Sequence, residues 1–265
     1  MFLLFPPIKI IQNNHLTNGI IVYDIQIGKL EGGFLLRNIL LVWDIDGTLI
    51  HSKGCGRRAM EQTFYKLFGI KNAFQQIQMS GRLDAWIVRD ALIMHNIQEK
   101  NLAVFFDAYC ELLQLEMKDA EASVPIQGIQ ELLQYIKDLS NIYHALGTGN
   151  IERGARIKLA PQDLNRYFPV GGYGDAALER WQIIEQAVKR SNEHYKVIFQ
   201  PEDIYVIGDT PLDIGCGKTL GVKTIAVATG SHGLEELRKH EPDHLFANLE
   251  NYHEFFRIFT DKEYL

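Results

Sequence analysis

Asp44 and Asp46 lie two residues apart at the end of an apolar run, Leu40-Leu41-Val42-Trp43, and lead into Gly47-Thr48. The run reads as a buried strand of a parallel sheet, and the glycine allows a sharp turn at its C-terminal end. Carboxylates held there are costly to keep ionised unless a metal, a cation or a reaction uses them. Alone, the pair also fits an acidic strand-end turn with an N-cap. Two other segments bear on the choice. His144-Ala-Leu-Gly147-Thr148-Gly149-Asn150 ends an apolar stretch with a hydroxyl and exposed amides before a helix, a setting that favours an anion. Tyr205-Val-Ile-Gly208-Asp209-Thr-Pro-Leu-Asp213 repeats the pattern of carboxylates in a glycine turn. In a parallel sheet these strand ends converge. Three or four crowded carboxylates repel one another unless a hard cation sits among them, and an all-oxygen set suits Mg²⁺.

The elements that must position these groups alternate. Strand-like runs occupy 39–45, 142–146, 204–207 and 222–228, with a weaker one at 168–173. Helical patterns fall at 129–139, 151–159, 176–190, 213–220, 234–240 and 252–259. This order predicts an α/β fold, a doubly wound parallel sheet of Rossmann-like form. Between 49 and 125 the strand signals stop, and three amphipathic stretches (57–68, 84–95, 102–117) predict a helical cap over the sheet's C-terminal edge. The expected division is an extension at 1–37, a catalytic core at 38–54 and 125–265, and a cap at 55–124. In the extension, 20–27 alternates weakly and fits a strand, in an edge hairpin with Gly32-Gly33 as its turn, and equally a floppy extension.

The chain has 265 residues, 46 % of them hydrophobic and 23 % charged, as expected of a globular protein with one large or two smaller units. A net charge of −6 with no long basic run argues against nucleic acid as a partner. Cys55, Cys110 and Cys216 are far apart and fit neither a disulfide framework nor a zinc site. The apolar start stops at Pro6-Pro7, too short for a secretory signal, and no stretch approaches the ~20 apolar residues of a membrane span. The expectation is a cytoplasmic protein, not bound to membranes, working on small molecules as a monomer or small homo-oligomer.

Taken in order, Asp44-Ile-Asp46-Gly-Thr-Leu, the strand ending in Thr148, a later cation and Gly208-Asp209-x-x-x-Asp213 resemble the haloacid dehalogenase superfamily. The resemblance is to its phosphoglycolate-phosphatase-like branch with a helical cap, and it runs from about residue 38 to the C-terminus. It implies a Mg²⁺-dependent phosphatase acting on a small phosphorylated metabolite. Asp44 would be the nucleophile, forming an aspartyl phosphate. Asp46 would protonate the leaving oxygen and then activate water. Asp44, the Asp46 carbonyl, Asp209 and Asp213 would hold Mg²⁺. Thr148, with amides of Gly149 and Asn150, would hold phosphoryl oxygens.

The third motif departs from the pattern, in which a lysine is usual. Arg180, near the start of the helix leading to the fourth strand, takes the role, and arginine can bridge nucleophile and phosphoryl oxygens bidentately. Lys189, two or more turns further in, is the rival, and Lys158 lies too early. In the cap, Ser80-Gly81-Arg82-Leu83-Asp84 opens a helix with Asp84 as N-cap. Arg82 is then a candidate for an acidic or phosphorylated substrate, against a solvated arginine. His51 fits the entrance or a surface position. Trp43 and Trp86 are expected in the core, Cys216 in helix packing, and Lys218 in solvent. Asp46 argues against carbon–halogen and phosphonate cleavage, since the relatives that catalyse those reactions lack an acid there. A phosphosugar mutase and a catalytically silent phospho-ligand-binding protein are the alternatives.

Overall fold

A computed structural model describes residues 13–17, 20–24, 37–98, 102–118, 122–137, 139–175 and 177–260. Two compact units divide the chain at residue 36. In the first, β1 (Asn13–Thr17) pairs antiparallel with β2 (Ile20–Asp24), Thr17 opposite Ile20. In the sequence, Asn18-Gly19 lies between the two strands. The turn expected at Gly32-Gly33 lies outside the described residues.

The second unit is built on a six-stranded parallel sheet of order β10-β9-β8-β3-β6-β7. Its strands are β3 (Ile39–Trp43), β6 (Ile142–Thr148), β7 (Gly171–Tyr173), β8 (Ile204–Gly208), β9 (Lys223–Val227) and β10 (His244–Phe246). All five residues of β3 are buried, because helices cover both faces. Ile39, Leu41 and Trp43 pack toward α4 (Ile129–Ile136), α5 (Glu152–Leu159) and α9 (Tyr252–Thr260). Leu40 and Val42 pack toward α6 (Arg180–Tyr195) and α7 (Pro211–Leu220). α8 (Leu234–Arg238) follows β9. From β3 the chain runs outward through β6 to β7, then returns to β3's other side as β8. This reversal opens a crevice at the strands' C-terminal ends.

Two short strands, β4 (Ile50–His51) and β5 (Val124–Pro125), pair antiparallel and frame the helical stretch. It contains α1 (Cys55–Phe68), α2 (Asp84–Met94) and α3 (Leu102–Glu116), which share an apolar cluster centred on Phe64, Phe74, Phe105 and Tyr109. Residues from Arg37 onward form one compact unit, so these helices are a layer of it.

Trp43 is fully buried, but Trp86 is 40 % exposed, against expectation. The buried side of α2 carries Asp84, Ala85, Ile87, Val88, Ala91 and Leu92, which turns Trp86 outward. Leu83, not Asp84, occupies the N-cap position of α2. β10 has no counterpart in the sequence reading, since three edge residues give no period to detect. Among the described residues, no helix is long and apolar enough to cross a membrane.

Candidate active site

The turn after β3 is tight because the Ile45 carbonyl accepts the N–H groups of Thr48, Leu49 and Ile50 at 3.2, 2.9 and 3.1 Å. Gly47 closes it at φ +84°, and a Cβ there would lie 2.5 Å from Asp209 Oδ2. Glycine therefore serves both the backbone conformation and the close approach of a carboxylate. The Asp44 N–H donates to the Ile207 carbonyl at 2.9 Å, which binds the end of β3 to β8. One carboxylate oxygen each from Asp44, Asp209 and Asp213 then fall within 4.8 Å of one another, all three residues being buried.

Arg180 faces this group. A capping box between Glu179 and Gln182 fixes the first turn of α6, where Arg180 is the first residue. Its Nη2 is 2.5 Å from Asp213 Oδ1 and 3.7 Å from Asp44 Oδ2. The other Asp213 oxygen accepts the N–H and hydroxyl of Thr210 at 3.2 and 2.7 Å. One cation beside three buried acids leaves negative charge unbalanced. Burial, then the charge of Asp213, push Asp44 up to about 7, Arg180 opposing only in part. Burial, then Asp44 and Asp213, push Asp209 up to about 8. Buried, mutually repelling oxygen donors fit a hard divalent cation.

Asp46 points into a different neighbourhood. Its carboxylate accepts from Ser52 Oγ at 2.6 Å, Asn150 Nδ2 at 2.9 Å and Lys158 Nζ at 2.6 Å. Lys158 Nζ also donates to Asn150 Oδ1 at 2.6 Å, and Asn150 Nδ2 reaches Thr148 Oγ1 at 2.8 Å. Burial opposes the charge on Asp46, but Lys158, Ser52 and Asn150 together hold the carboxyl below its usual range. Burial likewise opposes the ammonium of Lys158, and Asp46 and Asp84 more than restore it.

The segment ahead of α2 closes over the strand ends. The Arg180 guanidinium donates to the Gly81 carbonyl, and the Asp84 N–H donates to the Gly149 carbonyl at 2.8 Å. Asp84 Oδ2 accepts the Ile151 N–H at 3.0 Å, so this carboxylate serves the start of α5. Burial pushes Asp84 up to about 6, although Lys158 opposes it. Beneath the segment lies a cavity of about 190 Å³, whose walls include Asp44, Asp46, Thr148, Gly149, Asn150, Lys158 and Arg180 from the sheet side. Arg57, Arg82 and Tyr109 enter from the helical side. Arg82 is half-buried there and spans to Asp90 Oδ2 at 2.7 Å.

The structure thus brings together Asp44, Asp46, Thr148, Gly149, Asn150, Arg180, Asp209 and Asp213, with Arg82 at the rim. The carboxylate of Asp46 stands apart from the acidic trio. Lys158, set aside in the sequence as too early, is 5 % exposed and in the cavity wall. One signal pointed to it: on α5 it shares the inward stripe of Ile151, Ala155 and Leu159, where a lysine requires a partner. Lys189 is exposed on α6. His51 is also exposed, Cys216 is buried, and Lys218 is half-exposed beside Glu241 at 3.5 Å.

The site is thus a set of carboxylates at the central switch point of a parallel α/β sheet, under a helical layer. The family model for haloacid dehalogenase-like hydrolases matches residues 41–227, and the chain belongs to that family. A Clostridium perfringens protein named pyrophosphatase PpaX is 22 % identical over 216 residues, 77 % of this chain and 90 % of its own length. Among solved structures, CbbY from Rhodobacter sphaeroides, in complex with xylulose-(1,5)bisphosphate, is similar with a TM-score of 0.66. It is 17 % identical, and the match covers 81 % of this chain and 96 % of that one. A protein of Clostridium acetobutylicum described as a predicted phosphatase has a TM-score of 0.64 at 19 % identity, covering 84 % and 99 %.

Proposed function

We propose that this protein is a divalent-cation-dependent phosphatase that hydrolyses a small phosphomonoester through an aspartyl phosphate on Asp44. One observation carries the reading. Asp44 belongs both to the acidic trio and to the wall of the 190 Å³ cavity, beside Thr148 and Arg180. The xylulose-(1,5)bisphosphate bound by CbbY supports the same class.

Asp44, Asp209 and Asp213 would hold the cation, for which Mg²⁺ is the best fit to three carboxylates. When bound, it would offset the repulsion between acid and phosphoryl oxygens. Asp44 Oδ attacks phosphorus, and the bond to the leaving alcohol's oxygen breaks. Arg180, Thr148 and the backbone at Gly149 and Asn150 orient the phosphoryl group, the source of most acceleration in such transfers. The leaving oxygen takes its proton from the Asp46–Lys158 pair, in which the Lys158 ammonium donates to Asp46 Oδ2 at 2.6 Å. Asp46 then accepts a proton from the water that attacks the phosphoenzyme, and inorganic phosphate forms. The helical layer, residues 55–124, acts as the cap, and Arg82 sits where it could meet the substrate's outer end.

The test is turnover of p-nitrophenyl phosphate with and without Mg²⁺, beside the Asp44→Asn variant. Mg²⁺-dependent release that disappears in the variant supports the reading. A wild type inactive with Mg²⁺, Mn²⁺ and Co²⁺ overturns it.

A further inference from the structure

Tyr109 has no assigned part in the reaction, yet it reaches the site from α3. It is fully buried, it lines the same cavity, and its hydroxyl has no hydrogen-bond partner among the described residues. A buried hydroxyl without a partner is costly and calls for a reason. Stacked at 6.5 Å on Phe105, the ring fits the apolar cluster, so packing accounts for the ring and leaves the hydroxyl unexplained. Gly56 brings the backbone of α1 close to the hydroxyl and to Lys158. A Cβ at Gly56 would lie 3.7 Å from Tyr109 Oη and 3.2 Å from Lys158 Nζ. All three groups stand in the cavity wall beside the Asp46 carboxylate, where the leaving group would sit.

We propose that Tyr109 is a specificity-determining residue whose hydroxyl hydrogen-bonds a hydroxyl of the leaving alcohol, in a subsite bordered by Gly56 and Lys158. The inference rests on the phosphomonoesterase reading above. At the Tyr109 hydroxyl a neutral group fits better than an anionic one. The charge of Lys158 is already taken by Asp46 at 2.6 Å, and the Asp84 and Asp46 carboxylates both act on the phenol. An added carboxylate would face their repulsion, whereas a hydroxyl can donate and accept.

The test compares kcat/KM for glycerol 3-phosphate with that for propyl phosphate, in the wild type and in Tyr109→Phe, with Mg²⁺ present. The wild type is expected to prefer the hydroxylated ester. In the variant this ratio should fall roughly ten-fold, as loss of one hydrogen bond predicts. Its melting temperature should stay the same or rise, because an unpaired buried group has been removed. A ratio unchanged by the substitution overturns the proposal, as does a wild type with no preference between the esters. A lowered melting temperature with equal losses on both esters assigns the hydroxyl to folding, and also overturns it. If the wild type turns over neither ester nor p-nitrophenyl phosphate, the phosphatase reading itself fails, a result distinct from the others.

Discussion

The two halves of the site hold charge in opposite ways. Around Asp44, Asp209 and Asp213, three buried acids face one close cation, Arg180, and two of them are pushed up to about 7 and about 8 by burial and mutual repulsion. Around Asp46, one acid is met by a lysine, a serine hydroxyl and an amide. The first half is under-compensated and suits an incoming positive charge. The second is already balanced and suits holding one carboxylate in one orientation. Under the proposed function, the contrast corresponds to a division of labour: charge shielding and attack on the β3/β8 side, proton handling on the α5 side.

The largest test of this division is Asp44→Asn, which should lower turnover at least about 10³-fold, since a covalent step loses its nucleophile. Quantifying release by single-turnover kinetics checks it, and residual activity near wild type breaks the assignment. Next comes the cation. Mg²⁺ at 100 times its Kd should stabilise the protein by about 2.7 kcal/mol, roughly 5–10 °C in Tm. Asp209→Asn should lose most of that rise while remaining folded.

The two cations sharpen the comparison further. Replacing Arg180 by Met should tighten Mg²⁺ binding, since a competing charge leaves the trio, while kcat falls by roughly 10²-fold. Replacing Lys158 by Met should leave Mg²⁺ affinity within about two-fold and cut kcat by roughly 10- to 100-fold through loss of proton transfer. Titration of Mg²⁺ in both variants separates them, and equal effects on affinity would dissolve the distinction.

The smallest effect is on pH-dependent stability. Asp84 sits above its unfolded value, at about 6, because of burial. The fold then binds the proton more tightly than the unfolded chain, so this contribution is complete below about pH 4 and lost as pH rises through 6. Buried His144, pushed down to about 4, acts oppositely, adding stability as pH rises toward 6.5. The difference between Asp84→Asn and wild type isolates the first term. The variant should gain on the order of 2 kcal/mol relative to wild type between pH 4 and 7, in urea unfolding. Asn can still accept the Ile151 N–H. A pH-independent difference removes the role given to burial at Asp84.

Much of this arrangement was legible in the chain. The alternation of apolar runs and helical patterns anticipates β3, β6, β8, β9 and the helices between them, because buried parallel strands carry a strong local signal. Asp44, Thr148, Arg180, Asp209 and Asp213 were expected at the strand ends and α6 start where they are found, since turn chemistry and residue order sufficed. Lys158 escaped because its importance depends on the tertiary approach of α5 to the β3 turn, 112 residues away in sequence. Tyr109 escaped for the same reason: an aromatic stripe reads as core, and only the empty hydrogen-bond position distinguishes it. Trp86 shows the converse, a large apolar residue turned outward by helix phase.

The central claim is that Asp44 carries the phosphoryl group. Borohydride reduces an acyl phosphate to the corresponding alcohol, so the protein quenched with borohydride during turnover and mapped by peptide mass spectrometry reports on it directly. The account predicts conversion of the Asp44 side chain to that of homoserine, with Asp46 intact. Active turnover with Asp44 unmodified, or with the modification on Asp46, would contradict it.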